Sequence, residues 1–336
     1  MKSKDIVFTS RDKVELVTRD LREIGPREVL CKAEMSLISQ GTEMRCLRAV
    51  MDPLTNWYAW VKYPFTPGYS MTGTVVESGS EVKEYKPGDR GVTFAPHTQY
   101  FIESVDNNEW LLKIPDQLSF AEATWMAVGG VITQICARRA DLRLGDNVGI
   151  IGLGMLGQLI TQYINLMGAG KIIAIDLNSK RLELAKKSGA THVLAADAEA
   201  ARESVSEITD GRFLDIIYDV TGLPHVLSSA TRLVCKMGKV MMAGDNTEPS
   251  KQFLGPNFLS DSLNLISTHD HAGLDQANWN KIRMSQFFFE MLLAGRMNVK
   301  QLNTDYFSPE EAPKVYKWLG DEKPDTVGIL FDWNRL

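Results

Sequence analysis

The stretch Asn147-Val148-Gly149-Ile150-Ile151-Gly152-Leu153-Gly154-Met155-Leu156-Gly157 is a short apolar run that ends in glycines spaced G-x-G-x-x-G. A helical pattern follows over Gln158–Met167, with Leu159, Ile160, Tyr163, Ile164 and Met167 on one face. Gly168-Ala169-Gly170 stops that helix, and the β-branched run Lys171-Ile172-Ile173-Ala174-Ile175 ends in Asp176. Strand, tight turn, helix, strand and acid in this order form a βαβ unit built to hold a dinucleotide. The first glycine permits the turn, the second lets a pyrophosphate approach the backbone, and the third lets helix and strand pack closely. The helix then aims its unpaired N–H groups and positive dipole end at the pyrophosphate, so Gly152, Gly154, Met155, Leu156 and Gly157 are candidate cofactor contacts.

Asp176 is placed to accept hydrogen bonds from the adenosine ribose hydroxyls, and its charge repels a 2′-phosphate, which favours NAD over NADP. Lys180 and Arg181 have two readings. Either they lie on the solvated face of a helix over Ser179–Ser188, with Ser179 as its cap, or Arg181 turns inward toward a cofactor phosphate.

Outward from this unit, alternating strands and helices continue. His192-Val193-Leu194, Phe213–Val220 and Gly238–Gly244 read as strands, with helices over about Ala198–Ile208 and Val226–Val234 between them. This alternation predicts a doubly wound parallel sheet, whose ligand lies beyond the carboxyl ends of the strands. Thr221, Gly244 and the Ser267–His271 segment fall at such ends. Ser119, with Glu122 three places on, forms a capping box that opens a helix through Ala127 or beyond; a second helix runs near Val131–Ala140.

Upstream, Val14–Val17, Glu28–Met35 and Met71–Glu77 read as half-buried strands separated by turns such as Lys86-Pro87-Gly88-Asp89. This half is β-rich and partly barrel-like. Past about Ala272 come a long helix (Trp279–Ala294), another over Pro309–Leu319 and a last strand, Val327–Phe331. The expected division is a catalytic domain over 1–118 and 272–336 and a nucleotide domain over 119–271.

The 336 residues leave ample core for two domains. Lys and Arg number 37 against 42 Asp and Glu, for a formal charge of −5 without a dense basic cluster, which disfavours nucleic acid and anionic membrane as partners. The start carries no secretory pattern, and no apolar run approaches the length of a membrane span. The four cysteines, Cys31, Cys46, Cys136 and Cys235, are dispersed, which suits reduced thiols in a cytoplasm and argues against a disulfide framework.

Pro67-Gly68-Tyr69-Ser70-Met71-Thr72-Gly73, Lys86-Pro87-Gly88-Asp89-Arg90-Gly91-Val92, the glycine fingerprint and Arg181-Leu182-Glu183-Leu184-Ala185 occur in an order that resembles the medium-chain dehydrogenase/reductase superfamily, the zinc alcohol dehydrogenase relatives. The resemblance covers nearly the whole chain. It implies an α/β protein with a GroES-like β-rich catalytic domain, an inserted Rossmann nucleotide domain and a homodimer formed through the nucleotide domains. It also implies a catalytic zinc, held by a cysteine in C-G-[ST]-D, a histidine in G-H-E and a later cysteine or glutamate.

This chain departs from that pattern at each ligand. Gln40 replaces the cysteine, and Tyr69 and Ser70 replace the His-Glu pair; Trp125–Gly130, near the third position, offers no ligand. A cysteine-rich structural zinc lobe is missing too. Zinc prefers thiolate, imidazole or carboxylate, so no zinc is expected. The segment Ser39-Gln40-Gly41-Thr42-Glu43 resembles a branch of the superfamily with S-x-G-T-E.

Hydride transfer to a carbonyl then needs side chains to deliver a proton and to stabilise developing charge. Thr42 aligns with the family's proton-relay hydroxyl and Tyr69 with a metal ligand that faces the nicotinamide, so these two form the first candidate pair. Glu43 orients the site, acts as an acid/base group, or is an acid paired with an arginine such as Arg45 or Arg48. His269 and His271 lie near the last sheet strand, as acid/base, substrate-contacting or ordinary loop residues. Gln40, His97 and Trp57 are candidate substrate contacts; His97 also reads as a packed strand-end residue, and the aromatic run around Trp57 as a ring-stacking wall, core or dimer contact.

Three functions remain open at this point. One is an NAD-dependent, zinc-independent dehydrogenase of a secondary alcohol, ketone, polyol, sugar or cyclitol. The second is an NADPH-dependent quinone or enone reductase. The third is a dinucleotide-binding protein without catalysis.

Overall fold

Strand Glu28–Leu37 is the axis of the first unit, with no exposed residue along its length and Val29–Cys31, Ala33, Ser36 and Leu37 buried. It pairs antiparallel with Met71–Ser78, Tyr100–Ser104 and Gly328–Asp332. The computed structural model describes residues 1–106, 111–269, 279–322 and 325–336. Through that strand runs a seven-stranded sheet in the order Asn303–Phe307, Gly328–Asp332, Glu28–Leu37, Met71–Ser78, Arg90–Thr93 and Leu111–Lys113, with Tyr100–Ser104 joined laterally. A hairpin of Lys2–Ser10 and Lys13–Asp20 lies outside the sheet. One core fills this unit, from Ile6 and Phe8 through Val29, Cys31 and Met71 to Tyr316, Phe331 and Trp333.

The first unit comprises Met1–Gly130, Lys281–Leu293 and Val299–Leu336, and the second Val131–Asn280 with Ala294–Asn298. The capping box at Ser119 forms as the sequence predicts, with Glu122 reaching back to the cap. The helix it opens groups with the first unit as far as Gly130, so the division does not fall at 118. Between that helix (Phe120–Ala123) and the next (Thr133–Arg139) lies a π turn over Met126–Ile132. It carries Gly129, where a Cβ would sit 2.6 Å from the Phe288 ring. Among the described residues, Phe120–Arg139 is the one stretch long and apolar enough to cross a membrane, and 83% of it is buried within the protein.

The second unit is a six-stranded, all-parallel sheet in the order His192–Ala195, Ile172–Asp176, Val148–Ile151, Leu214–Asp219, Val234–Met242 and Asn264–Ser267. Numbered within the unit this is 3-2-1-4-5-6, the doubly wound arrangement with its switch point between Val148–Ile151 and Leu214–Asp219. Both faces are covered. Ile172 and Ala174 enter one core and Ile173 and Ile175 the other, so a run with no polar residue is what a doubly buried strand requires.

Local chemistry shifts several expected boundaries. Asn178, not Ser179, caps the helix Ser179–Lys187, because the Asn178 carboxamide accepts the Arg181 N–H at 3.1 Å. The helix expected from Ala198 begins at Arg202; the Asp197 carboxylate takes the N–H groups of Glu199 and Ala200 and makes a side-chain turn of those residues. The helix from Val226 ends at Ala230, and Val234 already belongs to a strand.

Candidate functional site

In the second unit the glycine turn is shaped by three separate steric demands. Gly152 sits at φ +91°, where a Cβ would lie 2.9 Å from the Thr221 methyl. At Gly157 a Cβ would lie 2.0 Å from the Gly152 carbonyl oxygen, so only glycine lets the helix start this close to the strand. Around Gly154 a Cβ would meet nothing within 4 Å, and that space lies at the N-cap of helix Met155–Leu166. The first i→i−4 bond of this helix is donated by Gln158 to Gly154. The N–H groups of Met155, Leu156 and Gly157 therefore have no acceptor within the helix, which makes this end a receptor for an anion.

Asp176 ends the neighbouring strand and turns its carboxylate onto the same loop. It accepts the Leu153 N–H at 2.6 Å and the Asn178 N–H at 2.8 Å, one on each oxygen. Each oxygen keeps a lone pair for a further donor. Thr221 stands across the switch point, its hydroxyl donating to Asp219 at 2.7 Å and accepting the Leu223 N–H. At Gly244 a Cβ would meet the Gly222 nitrogen at 2.5 Å, so the loops after the two central strands close on each other through a glycine. Arg181 places its backbone in the helix cap, and its carbonyl accepts from Gln158 at 2.8 Å.

In the first unit the segment Ser39–Glu43 starts the helix Gln40–Arg48. Glu43 is 1% exposed and accepts three hydrogen bonds. One oxygen accepts the Ser39 N–H at 2.7 Å; the other accepts from His97 Nε2 at 3.1 Å and from the Tyr316 hydroxyl. His97 Nδ1 lies 2.8 Å from Ser36 Oγ, which accepts the Trp333 indole N–H at 2.9 Å. Trp333 can only donate, so Ser36 Oγ is its acceptor, and the imidazole turns Nε2 to the carboxylate. Burial, then the Glu43 charge, pushes the Tyr316 phenol well above its ordinary value and keeps it a donor. Gly68, at φ +99°, packs against His97, where a Cβ would fall 2.8 Å from the ring.

Partly exposed Tyr69 holds its hydroxyl 2.5 Å from Ser39 Oγ. Gln40 donates its amide to the Val327 carbonyl at 3.1 Å and to Thr326 Oγ1 at 3.3 Å. Thr42 is partly exposed on the first turn of the same helix. Tyr69, Gln40 and Thr42 are thus brought to one helix start.

Three expectations are corrected. Glu43 pairs with neither Arg45 nor Arg48 as an ion pair; its partners are His97, Tyr316 and Ser39, while Arg48 donates to Gly320 O. It is a buried scaffold and has no face for substrate. His97, at 0% exposure, is likewise interior. Trp57 lies in the core, 5.9 Å from the Trp60 ring, so it is no stacking wall, although Tyr58 and Trp60 beside it are exposed. His269 is exposed two residues past strand Asn264–Ser267, just after Thr268, whose hydroxyl lies 2.9 Å from Cys136 Sγ. His271 lies outside the described residues.

Ser36, Ser39, Tyr316 and Trp333 were not legible as site residues. Tyr316 is 273 residues from Glu43 and Trp333 is 297 from Ser36, so no spacing signal links them. Ser39 alone had a signal, since it stands in the segment that departs from the zinc pattern.

Those departures can be tested on the donors present. The Gln40 amide is spent as a donor on a backbone carbonyl, Tyr69 offers a phenol tied to Ser39, and the buried Ser70 hydroxyl has no partner. None is a thiolate, imidazole or carboxylate. The imidazole and carboxylate at hand, His97 and Glu43, are buried and spent on each other. Among the described residues no three His, Cys, Asp or Glu side chains converge to hold a metal. The described residues at this helix start do not fit a zinc ion.

A GroES-like sheet built on Glu28–Leu37 and a doubly wound sheet with a glycine turn define the chain as a medium-chain dehydrogenase/reductase of the zinc alcohol dehydrogenase-like superfamily, an oxidoreductase that binds a dinucleotide. The family descriptions that match are an alcohol dehydrogenase GroES-like domain over residues 25–137 and a zinc-binding dehydrogenase over residues 156–280. Sorbitol dehydrogenase of Bacillus subtilis is 28% identical, covering 99% of this chain and 98% of that one. D-guloside 3-dehydrogenase of Escherichia coli is 24% identical, covering 98% and 100%. Among solved structures, an Escherichia coli oxidoreductase/dehydrogenase of unknown specificity has a TM-score of 0.83 at 21% identity, with 99% of each chain covered.

Proposed function

We propose that the protein is an NAD-dependent, zinc-independent dehydrogenase of secondary alcohols and their ketones, with a polyol, sugar or cyclitol as substrate. The observation that carries this reading is the helix start at Ser39–Glu43, where a phenol and two hydroxyls stand in place of a metal-ligand set. NAD supplies the hydride acceptor or donor. Gly152, Gly154, Met155, Leu156 and Gly157 hold its pyrophosphate through backbone N–H groups, and Asp176 holds the ribose hydroxyls. Thr221 and Gly244 line the same crevice, and Arg181 is set beside it. Tyr69 transfers the proton at the substrate oxygen, with Thr42 as the second hydroxyl; Gln40 offers its amide oxygen to substrate, and His269 and His271 stay candidates for acid/base or substrate contact. The substrate class is supported by the polyol and sugar-derivative names of the full-length relatives.

The same reading makes the protein a cytoplasmic homodimer joined through the nucleotide unit. Strand Asn264–Ser267 ends the sheet, with Leu259 at 89% and Leu265 at 38% exposure on or beside it. An open edge of this kind is a ready template for a second copy.

The test is a screen of polyols, sugar derivatives and quinones for a change in dinucleotide absorbance, together with fluorescence titration of NADH and NADPH. NADH is expected to bind more tightly, and Asp176→Ala to relax the preference. Turnover of quinones with NADPH alone would replace this reading with a reductase, and binding without any turnover would replace it with a non-catalytic dinucleotide protein.

A further inference from the structure

Ser39 is the N-cap of helix Gln40–Arg48, yet its side chain makes no capping hydrogen bond. A serine at this position ordinarily accepts from the N–H groups of the first turn, an interaction with a typical effect of about 1 kcal/mol. Here the hydroxyl is turned away, 2.5 Å from Tyr69 Oη, and Ser39 is 4% exposed. Its orientation is enforced from behind. Glu43, one turn along the helix, grips the Ser39 N–H, and is itself fixed by His97 and Tyr316. Ser36 on strand Glu28–Leu37 and Trp333 in the turn after strand Gly328–Asp332 complete the set, so the anchor is tied to distant parts of the chain.

We propose that Ser39 is the positioning residue that makes Tyr69 an acid/base group, with Glu43 and His97 as the buried clamp that aims it. This rests on the reading of Tyr69 as the proton-transferring residue. In the reducing direction the bound dihydronicotinamide would supply a hydride, with its electron pair, to the carbonyl carbon. The carbonyl π pair becomes an alkoxide lone pair, and the Tyr69 O–H proton moves to that oxygen. The phenolate left behind accepts a hydrogen bond from the Ser39 hydroxyl and regains its proton from water. Alcohol oxidation runs the same steps backward, with the phenolate taking the alcohol proton.

A hydrogen bond to the charged form favours that form, so Ser39 lowers the pH at which Tyr69 ionises. The titratable groups joined to the pair are Glu43 on the same helix, His97 on the loop after Thr93 and Tyr316 on the C-terminal helix Ala312–Asp321. Cys46 follows Glu43 by three residues, and burial, then Glu43, pushes its thiol up to about 12.

The experiment is a near-ultraviolet phenolate titration of the full chain, taken as the difference between proteins with Tyr69 and with Tyr69→Phe. It needs no substrate. Ser39→Ala should raise the Tyr69 midpoint by about 1–2 pH units, the size of a hydrogen bond to a charged group, and Ser39→Thr should restore it. In oxidation of whichever alcohol is turned over fastest, the same variant should move the rising limb of kcat upward with KM little changed. Retained NADH binding shows that each variant is folded. An unmoved Tyr69 midpoint in Ser39→Ala overturns the proposal. A moved midpoint, combined with a Tyr69→Phe enzyme of normal turnover, overturns the reading of Tyr69 on which the catalytic half of the proposal rests.

Discussion

The glycine turn of the second unit and the helix start at Ser39 in the first do opposite kinds of work with their backbones. The turn presents backbone N–H groups outward, and its parts lie within Asn147–Asp176, a span the chain closes on itself. At Ser39 the backbone N–H is pulled inward to a buried carboxylate so that a side chain can face Tyr69. Its parts come from residues 36, 39, 43, 69, 97, 316 and 333, on separate strands and helices. A site made of backbone depends on the steric permission of a few glycines, whereas a site made of side chains depends on the packing of a whole unit. Damage should accordingly spread differently from the two.

The largest effect is expected where the side-chain network is cut at its centre. Glu43→Ala leaves the Ser39 N–H, His97 Nε2 and Tyr316 hydroxyl without their acceptor in a dry interior. Unfolding in urea should show a loss of about 3–5 kcal/mol, from three buried donors left unsatisfied at roughly 1–3 kcal/mol each. A loss below about 1 kcal/mol would mean that water or a neighbour replaces the carboxylate, and would dissolve the contrast between the two regions.

Next come the glycines, which should separate stability from binding. Gly157→Ala drives a Cβ to 2.0 Å from a backbone oxygen, so it should lose about 1–3 kcal/mol of stability and cofactor affinity together. Gly154→Ala places its Cβ in open space, so the melting temperature should hold while NADH binding weakens by roughly tenfold or more, equivalent to about 1.4 kcal/mol, as pyrophosphate is kept from the helix end. Calorimetry and fluorescence titration on the same samples test both.

The smallest effect comes from a second glutamate of the first unit. Glu103 has one hydrogen-bond donor, Thr93 at 2.6 Å, where Glu43 has three. Burial raises its pKa more than that bond lowers it. A carboxyl whose folded pKa is raised contributes stability that is present below its unfolded value and lost as pH rises through the folded one. Glu103→Gln keeps an acceptor for Thr93 and removes the ionisation. It should match the unaltered chain near pH 4 and melt about 1–3 °C higher at pH 8, by thermal scans at both pH values. A variant less stable at pH 8 would contradict the assignment.

The same contrast governs what could be read before the structure. The doubly wound sheet was legible because strand, glycines, helix and acid follow one another at fixed spacing, and the capping box at Ser119 because its two members are three residues apart. The departure from zinc ligands was legible at Gln40, Tyr69 and Ser70. What replaced them was not. For Glu43 the spacing left site orientation, acid/base work and an arginine pair all open, and the helix turns it inward to His97 and Tyr316. The aromatic run around Trp57 left a stacking wall open beside core or dimer contact, and a five-residue helix buries its first aromatic and exposes the others. Asn178 displaced Ser179 as a cap through a one-residue shift that spacing alone does not settle.

The central claim is that hydroxyl side chains, and no metal, handle the proton in this member of a zinc-named family. Metal analysis of the purified protein by mass spectrometry, followed by activity on an identified alcohol before and after chelation, tests it most directly. The account predicts far less than one zinc per chain and turnover unchanged by the chelator. About one tightly bound zinc per chain, with activity lost on its removal and restored on its return, would contradict it.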